Sequence, residues 1–252
     1  GAKSHIALAG PANKQGRIAA DHICGRRSAY TGALGPSVLK LFDLTAASTG
    51  LNEKQARAAG VAYDKVVTYS ASHASYYPGA RNMTVKTLFD PASGRILGAQ
   101  IVGFDGVDKR MDVLAAAIRA GLTAEQLTEL DLAYAPPYGS AKDPVNFVGY
   151  VIENTLAGRV KNFFWDDVAK LPRDGSVTLL DVRTDLEREN GQYIDGFIHI
   201  PVDELRERVG ELDKSKPVYI HCRTGLRSYV ACCMLAGLGF DCYNLSGGWR
   251  LY

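Results

Sequence analysis

The 252 residues are 46% hydrophobic and 22% charged, with a formal net charge of +2. This composition is ordinary for a soluble globular protein of about two domains, and the charge gives no reason to expect nucleic acid or an anionic membrane as partner. The longest apolar run, 230–240, falls well short of the ~20 residues that a membrane span needs. Five cysteines without framework spacing or a C-x-x-C pair favour a reducing cytoplasm and predict no metal site.

The first segment predicts a strand followed by a loop and a helix. Residues 6–9 are apolar, residues 10–17 contain Gly and Pro, and the pattern then favours a helix to about Cys24. Such a strand has no sheet partner upstream of it. We therefore expect the chain to be a fragment, or to have lost an N-terminal half.

The middle of the chain predicts an α+β unit. Segments rich in Val, Ile, Thr and Tyr predict three strands, at 65–70, 83–89 and 95–102. Helices are then predicted at 108–121, after the capping box of Thr123 and Gln126, and from Asp143 to Gly158. Strands that are followed by helices are typical of an α+β domain.

After Gly158, strands alternate with helices, which predicts a small α/β domain with a parallel sheet. The predicted strands are 177–182, 217–220 and 242–245, and the predicted helices are 202–209 and 226–238. The change of pattern places a domain boundary at about 157–162.

The most informative segment is 220–228, with the sequence IHCRTGLRS. A hydrophobic strand delivers Cys222 to a tight polar loop, and a helix begins directly after the loop. Backbone N–H groups and a helix N-terminus both favour negative charge, so we expect Cys222 to reach its thiolate form near neutral pH.

The spacing within this loop favours sulfur over phosphate as the bound anion. A phosphatase of similar design has the pattern Cys-x5-Arg, whereas here Arg227 comes one position earlier and Ser228 stands where that arginine would be. The N–H groups of 223–227 can surround a single sulfur atom. Arg223 and Arg227 add positive charge for thiosulfate, a persulfide or another anion.

Three further motifs accompany the loop: DVR at 181–183, GFIHIP at 196–201 and LSGGW at 245–249. Together these residues resemble the rhodanese family. The resemblance implies that Cys222 is the sulfur-carrying nucleophile and that the loop amides, with Arg227, stabilise its persulfide. The substrate-binding positions are then Arg223, Thr224, Gly225, Leu226 and Ser228.

The other four cysteines are interpreted as structural. Cys232 and Cys233 read as small core residues of a helix, Cys242 starts a buried strand, and Cys24 lies at a helix end. Asp181 is expected to pair with a nearby arginine.

The first 155 or so residues resemble a second family. Residues 8–21 look like the end of the FAD domain of pyridine nucleotide–disulfide oxidoreductases, and 35–156 look like their dimerisation domain. The segments SYYPGA at 75–80, AYAPPY at 133–138 and KDPVN at 142–146 resemble the coenzyme A-disulfide and persulfide reductase branch. In that branch, a rhodanese module fused at the C-terminus is a known arrangement.

This resemblance implies three parts: 1–34 ends an FAD domain, 35–157 is the dimerisation domain of a homodimer, and 158–252 is the rhodanese domain. It implies FAD and NAD(P)H as cofactors of the full-length protein and coenzyme A as substrate. The nucleotide-binding Gly-x-Gly-x-x-Gly and the reductase's own cysteine would lie upstream of Gly1, so the chain alone should not perform the flavin step. Backbone contacts to the flavin are implied for Ala9, Gly10, Pro11 and Ala12.

Tyr76 and Tyr134 are implied to lie near the disulfide site. There a phenol can donate a hydrogen bond to a leaving thiolate. The alternative is that both tyrosines only pack or form an interface, and Tyr77 and Tyr138 are neighbouring candidates. The His-Pro…Glu pair of the glutathione reductase branch is absent at 135–138.

The sequence thus favours a cytoplasmic enzyme that reduces coenzyme A disulfide, persulfide or polysulfide and couples this to persulfide transfer at Cys222. Two alternatives remain open. The protein could be a stand-alone thiosulfate sulfurtransferase whose front domain only oligomerises, or a regulatory sulfur-carrier module with no flavin step.

Overall fold

The computed structural model describes residues 5–190 and 193–252. The first four residues of the predicted FAD-domain segment 1–34 therefore lie outside the described residues. Within the described ranges the chain forms two five-stranded sheets, one after the other along the sequence. No helix in these ranges is long and apolar enough to cross a membrane.

The first element is helix α1 (Ala9–Ile23), which buries none of its residues. The predicted strand at 6–9 and the predicted loop at 10–17 are therefore wrong. Gln15, Arg17 and Ala19 favour a helix, and Pro11 is tolerated because it lies in the first turn, where its missing N–H has no helical partner.

The first sheet is antiparallel, with the order β1-β2-β5-β4-β3. Its strands are β1 (Ser37–Leu41), β2 (Leu44–Gly50), β3 (Asp64–Ala71), β4 (Asn82–Phe89) and β5 (Ile96–Gly103). The three predicted strands are confirmed as β3, β4 and β5. Strands β1 and β2 were missed because β1 is exposed along its whole length and β2 consists mainly of small and polar residues.

Helix α2 (Glu53–Ala58) contacts one face of this sheet, where Glu53 pairs with Lys65 and Lys86. The opposite face is covered by α3 (Val107–Ala120), α4 (Ala124–Thr128) and α5 (Pro144–Leu156). Leu114, Leu127 and Ile152 of these helices pack with Phe89 and Ile101 of the sheet in one core. The capping predictions are confirmed, since Thr123 and Gln126 form a capping box and the side chain of Asp143 caps α5.

The second sheet is parallel, with the order β6-β10-β9-β7-β8. Its strands are β6 (Lys161–Phe163), β7 (Thr178–Asp181), β8 (Ile198–His199), β9 (Val218–His221) and β10 (Cys242–Leu245). Helices α6 (Asp185–Glu189) and α7 (Leu226–Gly237) lie between strands along the chain. The predicted parallel α/β architecture is confirmed.

The helix predicted at 202–209 is wrong. This segment forms successive turns and a short 3₁₀ turn at Val209–Glu211. Its apolar residues do have helical spacing, but its backbone is tied elsewhere: the N–H of Val202 donates to the carbonyl of Val182, at the end of β7. Turns then carry Leu205 into the core without a continuous helix.

The two sheets meet along edge strand β3. The N–H of Val67 donates to Ser246 Oγ over 3.2 Å, which satisfies a backbone donor at an otherwise open sheet edge. Nearby, Lys65 Nζ lies 4.3 Å from the centre of the Phe164 ring. Strand β3 then leads directly into the loop that carries Tyr76.

Candidate active site

The loop between β9 and α7 holds Cys222 in a backbone cradle. Gly225 has φ +101°, a conformation that favours glycine, and it forms the N-cap of α7. Gly248 packs under the loop so closely that a Cβ there would lie 2.6 Å from the nitrogen of Thr224. The N–H of Trp249 donates to the Cys222 carbonyl over 2.8 Å. The LSGGW motif therefore braces the loop from below.

The sulfur of Cys222 is enclosed, with the residue only 1% exposed. The N–H of Gly225 donates to Sγ over 3.1 Å, and the hydroxyl of Ser228 lies 3.3 Å from Sγ. Helix α7 begins at Leu226, so its positive end also lies at the loop. These features favour a nucleophile that carries negative charge.

Arg227 is engaged by a carboxylate that sequence reasoning missed. Its two terminal nitrogens donate to Glu187 over 2.7 and 2.8 Å. These hydrogen bonds lower the pKa of Glu187 to about 2 and raise that of Arg227. Glu187 Oε1 also lies 4.0 Å from Arg223 Nη1. The carboxylate therefore offsets part of the positive charge that Arg223 and Arg227 bring to the Cys222 loop. The only sequence signal was the capping box of Thr184 and Glu187 at the start of α6.

The predicted pairing of Asp181 with an arginine is confirmed. Arg183 donates to both carboxylate oxygens over 2.8 to 3.1 Å, and both side chains are buried. Burial alone would raise the pKa of Asp181, but the hydrogen bonds from Arg183 lower it overall. Burial also lowers the pKa of neighbouring His221 to about 4, so this histidine is neutral at pH 7.

The prediction that the other cysteines are packing residues is confirmed for Cys232 and Cys242, which are buried. Burial raises the pKa of both thiols, that of Cys242 to about 12. The prediction is wrong for Cys233, which is exposed, because helical geometry turns it about 100° from its buried neighbour. Cys24 is exposed just beyond α1.

The structure brings the two predicted tyrosines together. The hydroxyls of Tyr76 and Tyr134 lie 3.1 Å apart, and this contact raises the pKa of Tyr134. Both side chains are open to solvent, with exposures of 76% and 47%. Tyr77 packs edge-on against His73, and Tyr138 is exposed nearby.

Buried Arg110, which sequence reasoning missed, holds the two tyrosine loops against each other. Its guanidinium donates over 3.0 Å both to the carbonyl of Ser72, before Tyr76, and to the side chain of Asp143. It also lies 3.5 Å from the carbonyl of Tyr138. A cavity of about 520 Å³ opens beside these residues. In the sequence, Arg110 is one residue of the helical pattern of α3, so no local motif indicated that it contacts the tyrosine loops.

Comparison with known proteins identifies two domain types in the chain. Residues 36–144 match the pyridine nucleotide-disulphide oxidoreductase dimerisation domain, and 164–252 match the rhodanese-like domain. The chain therefore combines a dimerisation domain of this reductase type with a rhodanese-like domain. Both predicted resemblances are confirmed.

Two solved structures share the whole described arrangement. Reduced CoADR-RHD from Bacillus anthracis has a TM-score of 0.96 and 48% identity, over 100% of this chain and 45% of that one. The NAD-dependent persulfide reductase from A. fulgidus has a TM-score of 0.89 and 39% identity, over 100% of this chain and 46% of that one.

Curated relatives match the dimerisation part. Coenzyme A disulfide reductase from Staphylococcus haemolyticus is 39% identical over 148 residues, and that from Staphylococcus aureus is 38% identical over 146 residues. Each match covers 58% of this chain and 33% of the relative. The chain thus spans about a third of the length of these relatives.

The four residues predicted to contact the flavin, Ala9 to Ala12, lie in the first turn of α1. The backbone N–H groups of Ala9 and Gly10 are at the positive end of the helix, which suits the polar edge of a cofactor, whereas Pro11 has no N–H and that of Ala12 donates to the carbonyl of Leu8. Ala9 and Ala12 line an open cavity of about 790 Å³ with Gly32 and Ala33. These residues fit one wall of a nucleotide site.

No group of His, Cys, Asp and Glu side chains in the described ranges could hold a metal ion.

Proposed function

We propose that the full-length protein is an FAD- and NAD(P)H-dependent reductase of coenzyme A disulfides, persulfides or polysulfides. In this proposal, Cys222 carries the sulfane sulfur as a persulfide and presents it for reduction. The main support is the enclosed sulfur of Cys222, which lies at the start of a helix with the N–H of Gly225 directed at it.

The sulfur step follows from the chemistry of this loop. The thiolate of Cys222 attacks the sulfane sulfur of a donor, and a new S–S bond forms at Sγ. The bond between that sulfur and the rest of the donor breaks, and its electron pair leaves with the donor. The terminal persulfide sulfur is negative, and the loop N–H groups and the positive end of α7 stabilise it.

The tyrosine pair supports the reductase step. In the pair, one hydroxyl donates to the other, so the accepting hydroxyl still has a proton to donate. We assign that proton to the thiolate that leaves when a disulfide or persulfide is reduced. FAD and NAD(P)H in the full-length protein supply the electrons, and Ala9 to Ala12 contribute one wall of the flavin site.

We further propose a cytoplasmic homodimer that forms through the 35–157 domain. Exposed apolar side chains on β1 and after it, including Val38, Leu39 and Phe42, support such an interface. The division into 1–34, 35–157 and 158–252 belongs to the same proposal. A partner subunit would place its flavin opposite the open tyrosines.

The second candidate is a stand-alone thiosulfate sulfurtransferase. It is supported by one observation: the two groups that contact Sγ, the N–H of Gly225 and the hydroxyl of Ser228, both belong to the rhodanese domain. Such a loop could load and release sulfur without a flavin.

The deciding experiment is mass spectrometry of the Cys222 peptide in the full-length flavoprotein. After incubation with thiosulfate we expect one extra sulfur atom on Cys222, and after addition of NADH we expect it to disappear with release of sulfide. Sulfur that resists NADH but is removed by cyanide would favour the stand-alone transferase. A Cys222 that never takes up sulfur would contradict both candidates.

A further inference from the structure

A row of hydrogen bonds connects the nucleophile with the dimerisation domain. The hydroxyl oxygen of Ser228 lies 3.3 Å from Cys222 Sγ and 2.6 Å from Asn244 Oδ1. Asn244 Nδ2 donates to Asn162 Oδ1 over 3.2 Å. Ser228 is fully buried and Asn244 nearly so, which protects this part of the row from water.

The row ends on helix α5, in the other domain. Asn162 Nδ2 donates to Thr155 Oγ1 over 3.2 Å, and Thr155 Oγ1 donates to the carbonyl of Val151 over 2.9 Å. We call the four side chains of Thr155, Asn162, Asn244 and Ser228 the Thr155 relay. It crosses the boundary between the two domains, which are parts of one chain.

The contact of Thr155 with its own helix fixes which group donates and which accepts in every hydrogen bond of the relay. A hydroxyl has one proton, and Thr155 places it on a helix carbonyl, which can only accept. Thr155 Oγ1 must therefore accept from an amide, which orients Asn162, and Asn162 in turn orients Asn244. The oxygen of Asn244 then faces Ser228 and takes its single proton over 2.6 Å.

This direction has a consequence at the sulfur. With its proton on Asn244, the Ser228 oxygen presents lone pairs to Sγ. A neutral thiol can donate to that oxygen, and the bridging sulfur of a persulfide is uncharged. A thiolate at Sγ accepts a hydrogen bond from the N–H of Gly225 but none from the hydroxyl of Ser228, whose proton is on Asn244.

We propose that the Thr155 relay slows sulfur release from the Cys222 persulfide by withholding the Ser228 proton from the leaving thiolate. Thr155, Asn162 and Asn244 are then positioning residues that act through Ser228. The inference rests on the proposed persulfide at Cys222.

The relevant step is the transfer of sulfur to an acceptor nucleophile. The acceptor attacks the terminal sulfur, and a bond forms between them. The S–S bond breaks, and its electron pair goes to Sγ, which becomes a thiolate. A donor on Sγ would stabilise that developing charge, and a hydrogen bond to a charged group is among the stronger ones in proteins.

The test uses the whole chain, loaded with sulfur from thiosulfate, and follows single-turnover removal of that sulfur by cyanide. Thr155→Val removes the end of the relay, so both amides can turn and Ser228 can donate to Sγ. We expect sulfur release to be about 3- to 10-fold faster. Thr155→Ser keeps the hydroxyl and should restore the wild-type rate.

Two controls separate this role from general loosening. Thr128 in α4 also donates its hydroxyl to a helix carbonyl, over 2.7 Å, but lies outside the relay, so Thr128→Val should leave the rate unchanged. Lys65→Ala removes the contact between the Lys65 ammonium and the Phe164 ring, 4.3 Å from its centre, and weakens the contact between domains without touching the relay. It too should not accelerate release.

The double variant Thr155→Val with Ser228→Ala should match Ser228→Ala alone, because the relay acts only through that hydroxyl. The proposal is wrong if Thr155→Val does not accelerate release, if Lys65→Ala accelerates it equally, or if the effect persists without Ser228. A wild-type chain that never loads sulfur contradicts the proposed function itself, and the relay then has no persulfide to protect.

Discussion

The Cys222 loop and the tyrosine pair differ in how complete they are. Cys222 is 1% exposed and is served by a backbone donor, a helix end and the bracing segment 245–250. Tyr76 is 76% exposed, and within residues 5–190 and 193–252 its hydroxyl bonds with that of Tyr134 alone. The Cys222 site contains the groups that surround its sulfur. The tyrosine pair supplies hydroxyl groups to a reaction whose other participants must come from another domain or subunit. Four predictions test this contrast.

The largest effect is expected at the nucleophile. Cys222→Ser should abolish sulfur transfer from thiosulfate to cyanide, a loss of at least about 10³-fold, because a serine hydroxyl does not form a persulfide. Cys233→Ser is the matched control, since that cysteine is exposed on the next helix and lies outside the loop. A steady-state assay on the isolated chain measures both. Residual transfer in Cys222→Ser would show that the loop is not the sulfur carrier.

The second prediction concerns the support of the tyrosine loops. Arg110→Ala leaves Asp143 and two carbonyls without their buried donor, so we expect a loss of about 3–5 kcal/mol in the free energy of unfolding. Arg208→Ala is the control: it removes an arginine that also has two carboxylate partners, but water solvates all three groups, so its cost should be far smaller. Urea denaturation measures both values. Equal costs would show that Arg110 does not anchor these loops.

The third prediction separates the two sites. In the full-length flavoprotein, Tyr76→Phe and Tyr134→Phe should each lower the rate of disulfide or persulfide reduction by about 100-fold, the usual size of a general-acid contribution. Cyanide-dependent sulfur transfer at Cys222 should stay unchanged in both variants. Tyr77→Phe tests the neighbouring candidate and should have little effect. A parallel loss of both activities would mean that the tyrosines serve the fold instead of the reaction.

The smallest effect concerns the rim of the Cys222 loop. Because the pKa of Glu187 is lowered to about 2 from 4.5, its ion pair with Arg227 stabilises the fold above about pH 4.5. This contribution, about 1 kcal/mol for a solvent-accessible pair, is lost as the pH falls from 4.5 towards 2.

Glu187→Gln should therefore be less stable than wild type at pH 7, and the difference should shrink with acidification. Glu189→Gln, on the exposed side of the same helix, should leave the acid profile unchanged. Thermal unfolding between pH 7 and pH 2 measures this dependence. A difference that stays constant with pH would contradict the assigned ion pair.

Strong local patterns explain why much of the fold could be predicted. Alternation in β3, β4 and β5 and the caps of α4 and α5 lie within a few residues of one another, so the sequence displays them directly. The misassigned elements had ambiguous patterns. Helical spacing at 202–209 was overridden by backbone hydrogen bonds to β7, and β1 carries no buried face to reveal it.

Some residues of the candidate site could likewise be predicted from local sequence patterns, and others could not. The sequence alone marked Cys222, its short loop and the order of motifs around it, because a strand, a glycine turn and a helix start are local features. Tyr76 and Tyr134 were predicted as site residues only from the resemblance to the reductase family, since nothing near Tyr76 in the sequence indicates its partner 58 residues away.

What the sequence determined by itself is the nucleophile, the small parallel sheet around it and the unit of strands and helices before it. Only the tertiary structure decided what those residues touch. It placed Glu187 on Arg227, Arg110 between the tyrosine loops and Thr155 at the end of a hydrogen-bonded row from Cys222. Such contacts join residues far apart in the chain, so their partners follow from how helices and sheets pack, which no local pattern records.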